Sequence, residues 1–139
     1  MTATSGLATR PLYDSTDSLL RFAMRVDATL TGLAGLAVAA AADPISSLTG
    51  LTSAEEYGVG AAFVLYGLAV FSLAALPNLR RVGIGVVVAN IVCTLAAVVA
   101  VAADSLPLTA MGVAGTLASG VYTAFFALLQ YLGVRRLRA

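Results

Sequence analysis

The chain has 139 residues, of which 60% are apolar and 11% charged, with a mean hydropathy of +0.95. A soluble domain carries about a quarter charged residues, so this composition excludes a water-soluble globular protein and leaves one compact domain with much of its exterior facing lipid. Cations and acids nearly balance, eight against seven, which excludes a basic field able to hold nucleic acid.

Residues 1–14 read as a flexible cytoplasmic tail and residues 15–139 as a single four-span transmembrane domain. A hydrocarbon core about 30 Å thick needs roughly 20 apolar residues as helix. The stretches 26–42, 58–76, 82–103 and 109–132 approach or reach that length. Breaks fall at Asp43-Pro44, Pro77-Asn78 and Asp104-Ser105-Leu106-Pro107, where proline and short polar side chains end helices. Short connections between four helices predict an all-α, up-down-up-down bundle.

The first helix is expected to begin ahead of its apolar stretch, because Asp14-Ser15-Thr16-Asp17 offers cap oxygens. Asp17, Arg21 and Arg25 recur every four residues and form one charged stripe at headgroup level. Ala40-Ala41-Ala42 before Asp43 has the small-residue form of a signal-peptide cleavage site. The long polar leader, the length of the apolar segment and its glycines instead favour a retained span; cleavage would leave three spans and an extracytoplasmic N-terminus. Between residues 43 and 57 lies the one long connection, about 15 residues with Ile45, Leu48 and Leu51, suited to capping the bundle or touching a partner. Ser53 and Glu56 have the spacing of a capping box at the start of the second span.

Positive charge in short loops marks the cytoplasmic side. Arg10, Arg21 and Arg25 precede the first span, Arg80 and Arg81 join the second to the third, and Arg135, Arg136 and Arg138 follow the fourth. All fall on one side, so both termini are expected in the cytoplasm of a bacterial inner membrane, with the arginines facing lipid headgroups. The acids Asp43, Glu55, Glu56 and Asp104 fall on the other side.

Helices in lipid associate through close packing, so small residues four apart mark contact faces. Gly112, Thr116, Gly120 and Ala124 form such a stripe on the fourth span, Thr31, Gly35 and Ala39 on the first with Gly32 beside them, and Gly85 and Ala89 on the third. These faces serve packing within the chain or between copies. A shift of 55 residues pairs Gly60 with Gly115, Ala69 with Ala124, Phe71 with Phe126, Leu73 with Leu128 and Arg80-Arg81 with Arg135-Arg136. Either a duplicated hairpin or convergence of two inward-going spans accounts for this.

Ionisable and amide side chains inside a span are costly unless paired or hydrated. Asp27 lies about 200° around the helix from Arg25 and heads the line through Thr31 and Gly35. Asn90 and Gln130 belong with it to the inner half. Rising 1.5 Å per residue from the inner boundary, Asn90 is about 12 Å deep, Gln130 about 6 Å, and Asp27 within a turn of the headgroups. One reading is a vestibule open to the cytoplasm with a cation or proton at Asp27. The other is a set of structural hydrogen bonds, with Asp27 neutralised by Arg25, Arg80 or Arg81. Tyr66 and Tyr122 lie mid-span and need hydroxyl partners inside the bundle.

Catalytic chemistry is missing. There is no histidine to serve as a base, the acids are scattered, and the single cysteine, Cys93, reads as a small packing group that cannot form an intramolecular disulfide. Ala118-Ser119-Gly120 matches part of the Gly-x-Ser-Gly site of rhomboid-type proteases, yet Leu117 replaces the first glycine and nothing activates the serine. An enzyme, a cofactor and a metal site are not expected. Small multidrug transporters also have four short spans, but rely on a glutamate within the first, whereas Glu55 and Glu56 lie in the outer loop.

The run Arg21-Phe22-Ala23-Met24-Arg25-Val26-Asp27, then Thr31-Gly32-Leu33-Ala34-Gly35, and the ending Gln130-Tyr131-Leu132-Gly133-Val134-Arg135-Arg136 resemble a group of four-span bacterial membrane proteins common in actinobacteria. The resemblance covers residues 19–136. It implies the four-span fold and carries no activity. The expectation is an accessory or scaffold protein acting through helix association, as a homo-oligomer or within a larger membrane complex. The alternative is a small homo-oligomeric transporter or channel whose inner mouth is lined by Asp27, Asn90 and Gln130.

Overall fold

The computed structural model describes residues 16–137; the tail expected over 1–14 and the cation expected at Arg138 lie outside them. The described residues form α1 (Ser18–Ala40), α2 (Ala42–Thr49), α3 (Ser53–Leu73), α4 (Arg80–Ala102) and α5 (Ala110–Arg136), with no strand. All but α2 are long and apolar enough to cross a membrane. They run alternately up and down, so the fold is the expected all-helical, four-span bundle and the class is that of a multi-pass membrane protein.

Helix α1 is the hub. It packs along α3 and also against α5, while α4 packs chiefly on α5 and α3 and α4 scarcely meet. A two-fold relation between the hairpins would make the α3–α4 contact match the α1–α5 contact, and it does not. Matched residues also differ in setting: Phe71 is exposed and Phe126 buried. The fold therefore lacks the symmetry expected of a duplicated hairpin.

Several boundaries move for local reasons. Asp17 precedes α1 but makes no cap bond; its carboxylate pairs with Arg21 at 2.6 Å. The capping box sits one residue earlier than expected, at Thr52 and Glu55. The Thr52 hydroxyl accepts from Glu55 N–H at 3.2 Å and the Glu55 carboxylate accepts from Thr52 N–H at 2.7 Å. Glu56 is thereby turned inward, 4% exposed, and accepts from the Thr49 hydroxyl. Asp43-Pro44 opens helix α2 instead of only closing α1, since an acid and a proline are both favoured in a first helical turn. A left-handed Gly50 (φ 91°) ends α2.

The long connection thus caps the end of the bundle away from most of the arginines. Thr109 N–H bonds to Thr49 O at 2.9 Å and the Thr109 hydroxyl donates to Leu48 O. Gly112 packs so closely that an ideal Cβ there would lie 2.2 Å from Thr49 O. At the opposite end the Arg21 guanidinium donates to the carbonyls of Ala74 and Leu76. It holds the carbonyl of the residue capping α3 and one just beyond it, where a cation also meets the negative end of the dipole.

The side-chain core lies toward this arginine end, where Leu20, Met24, Ala28, Val70, Ala74, Leu79, Val86 and Val134 pack together. Helices α1 and α3 also touch through backbone, beside this core at Gly67 and farther from it at Gly60. An ideal Cβ on Gly60 would lie 2.7 Å from Gly35 O, and one on Gly67 would lie 2.6 Å from Ala28 O.

Of the expected packing residues, Gly35, Gly112 and Gly120 are buried and Thr31 and Thr116 half-buried, but Ala124 is exposed. Steps of four residues rotate about 40° beyond a full turn each, so the line drifts off the seam, which continues through Phe126, Gln130 and Gly133. Gly85 is also exposed with no neighbour near its Cβ position; Gly83 takes its place against Leu20 and Val134. Cys93 is exposed on the outer surface of α4 and is no packing group.

Candidate functional site

A carboxylate in a span survives if the protein replaces its water shell, and α1 places Asp27 where every span can contribute. Asp27 begins the second half of the face that α1 turns inward, after Leu20, Ala23 and Met24. Measured from Ser18 it is about 13 Å along the helix. Asn90 lies about 15 Å from the arginine end of α4, Gln130 about 9 Å from that of α5 and Tyr66 about 10 Å from that of α3. These levels are close enough for long side chains to meet.

They do meet. Asp27 Oδ2 accepts from Tyr66 OH at 2.7 Å, Gln130 Nε2 at 2.8 Å and Asn90 Nδ2 at 3.0 Å. Asp27 Oδ1 accepts from Tyr122 OH at 3.0 Å and Thr31 Oγ1 at 3.1 Å. Asn90 Nδ2 also donates to Gln130 Oε1 at 2.8 Å. The amide orientations follow from the carboxylate. Turning Gln130 over would set its oxygen against Asp27 Oδ2 and its nitrogen against Asn90 Nδ2, two repulsive contacts in place of two bonds.

Asp27, Asn90 and Gln130, the three residues singled out in the sequence, therefore form one cluster. Two of the surrounding facts differ from expectation. Asp27 lies farther along its helix than the apolar stretch suggests, because α1 starts at Ser18, two turns before that stretch. No arginine neutralises it: the guanidinium of Arg21 is turned to Asp17 and to the end of α3, and that of Arg25 lies over the Phe71 ring at 6.0 Å. Arg80 borders the groove between α4 and α5, and no ion pair reaches Asp27 among the described residues.

Tyr66 and Tyr122 are members that the sequence flagged only as needing partners. Tyr122 OH also lies 3.0 Å from Asp27 O and 3.0 Å from Thr31 Oγ1. Farther out, a smaller node joins α4 to α5: Thr94 Oγ1 contacts Thr123 Oγ1 at 2.6 Å and donates to Gly120 O. Ser119, by contrast, is exposed and donates to Gly115 O within its own helix.

The cluster is sealed. Asp27 and Gln130 are 0% exposed and Asn90 2%, so the three do not line an open vestibule. Every buried side-chain nitrogen and oxygen among the described residues has a partner. Five neutral donors surround one carboxylate and tie all four spans to one point. The set contains one carboxylate and no imidazole or thiol, and among the described residues no three acidic, Cys or His side chains gather as metal ligands.

No known protein family matches the chain, and no curated protein or solved structure does. What the bundle does has to follow from its own surfaces.

Proposed function

We propose that this chain is an accessory or scaffold protein of the bacterial inner membrane, with both termini in the cytoplasm, acting through helix association. One observation carries the reading. Helix α4 has the highest hydropathy of the spans and the least internal packing, with 11% of its most apolar window buried. Its outward face repeats Gly85, Val88, Val92, Leu95 and Val99, all exposed. Alternating steps of three and four residues are the spacing by which one helix packs along another, and glycine permits close approach. We assign this face to a helix of another subunit, with the arginine end toward the cytoplasm. A transporter lined by Asp27, Asn90 and Gln130 would need the sealed cluster to open, and the bundle offers no second charged group along such a path.

Gentle extraction of the tagged protein followed by native mass spectrometry tests the association. The expected result is a discrete complex, either of two or more copies or with a partner at fixed ratio. A bismaleimide added to intact membranes is then expected to join Cys93, one residue from Val92, to its neighbour. Monomer alone, in both measurements, overturns the reading. Orientation is checked separately with reporters fused to the C-terminus: a cytoplasmic fluorescent protein should light up and an alkaline phosphatase stay inactive. The opposite pair of outcomes would reverse the topology.

A further inference from the structure

Between α4 and α5, at the arginine end, lies a groove of about 370 Å³ lined by Arg80, Ile84, Val88, Tyr131, Val134 and Arg135, with Val87 at its floor. Two cations from different helices border one apolar trough. Neither has an acidic partner among the described residues: Arg135 lies over the Tyr131 ring at 5.9 Å, and Arg80 engages only its backbone N–H, at 3.3 Å from Asn78 Oδ1. The acids Asp43, Glu55, Glu56 and Asp104 are at the far end of the bundle, and Asp17, at this end, pairs with Arg21.

Further features of this end reinforce its positive character. Helix α4 begins here with Leu79 as its cap, which has no side-chain acceptor for the first amides. Asn78 Oδ1 takes the first of these amides, from Arg80, and the positive end of the helix dipole still favours negative charge here. Arg81 and Arg136, both exposed, flank the groove residues in sequence and add to the local field. The groove itself runs inward from the guanidiniums along Ile84 and Val88, which are 45% and 53% exposed and lie within the apolar span.

We infer that this groove is a binding site for one anionic phospholipid, its phosphate held between Arg80 and Arg135 and its acyl chain laid along Ile84 and Val88. Charge complementarity and the joining of a cationic mouth to an apolar trough select this ligand. A soluble anion would use only the mouth, and a zwitterionic lipid would bring its own cation to two unpaired arginines. Arginine suits the role because its planar donor fork matches phosphate oxygens two at a time. The inference rests on the membrane reading but not on oligomerisation, so the two can fail separately.

The test uses the full chain in nanodiscs containing phosphatidylglycerol and phosphatidylcholine in equal amounts, released into the mass spectrometer with bound lipid retained. Phosphatidylglycerol is expected to remain on the wild type in preference to phosphatidylcholine. The double substitution Arg80→Gln and Arg135→Gln should lower that retention roughly 30-fold. The matched pair Arg81→Gln and Arg136→Gln removes the same charge from the same end but leaves the groove mouth, and should keep most of it. Excess glycerol phosphate should not displace the lipid. Equal loss in both double variants would mean a diffuse basic surface, and displacement by glycerol phosphate would mean an anion site without a chain; either overturns the proposal, as does the absence of retained lipid. Subunit stoichiometry comes from the same spectra. A monomer that keeps its lipid would remove self-association alone, leaving a partner protein to the extraction experiment, and an oligomer without lipid would sink this inference alone.

Discussion

Replacing Asp27 with leucine is expected to destabilise the bundle by about 3 kcal/mol. Hydrogen bonds between membrane helices average about 0.6 kcal/mol each, and this change removes the acceptor of Thr31, Tyr66, Asn90, Tyr122 and Gln130 at once. The five bonds together account for the figure. A buried ion replaced together with its partners by apolar groups can be neutral, but removing the acceptor alone leaves donors stranded in a medium that cannot solvate them. Asp27→Asn should cost less, about 1–2 kcal/mol. Its amide oxygen still accepts on the Oδ2 side, and its NH2 can donate to the hydroxyls of Thr31 and Tyr122, which turn to accept. The order leucine, asparagine, wild type is checked by unfolding in mixed micelles on titration with dodecyl sulfate, followed by tyrosine near-ultraviolet circular dichroism. Tyr66 and Tyr122 sit on the cluster and report its loss. A leucine variant as stable as the wild type would mean that the cluster does not hold the spans together.

How much of this cluster could be read from the sequence depends on the kind of signal. Asp27, Asn90 and Gln130 stand out because each is a polar side chain in an apolar run, where the cost of burial demands a partner. Their common place in one half of the bundle was legible, whereas the position of Asp27 at the centre of the set was hidden by depth. The turns from Ser18 to Arg25 belong to the same helix as the apolar span, so counting from residue 26 leaves out two turns of helix before Asp27. Tyr66 and Tyr122 were ambiguous for another reason: a tyrosine hydroxyl finds acceptors in many places, and nothing in its spacing names which. The spans and their alternation were legible from hydropathy alone, whereas helix α2 was not, because Asp43-Pro44 is equally a helix stop and a helix start. At Thr52-Ser53 either hydroxyl could serve the capping box, and the choice rests on the turn geometry that buries Glu56.

The packing seams divide in the same way, and they support the second large effect. Gly35 and Gly115 are both glycines in apolar helices with small neighbours, indistinguishable by composition. An ideal Cβ on Gly35 would lie 2.6 Å from Gly60 O, 2.7 Å from Phe63 Cβ and 2.8 Å from Val64 N, whereas one on Gly115 would meet nothing within 4 Å. The obstacles at Gly35 include backbone, so α1 and α3 must separate to admit even one methyl group. Separation would also loosen the crossing at Gly67, where the margin is equally narrow. Overpacking of this kind costs about 1–3 kcal/mol, and with two linked crossings Gly35→Ala is expected at the upper end. At Gly115 the same substitution adds a better helix former to an open surface, so Gly115→Ala should be neutral or stabilising by up to about 1 kcal/mol. Because the chemical change is identical, the difference between the two unfolding midpoints isolates the close approach of α1 to α3. Equal shifts in the same direction would mean that these helices do not cross at backbone contact, and the half of the bundle beyond the side-chain core would then need another source of cohesion.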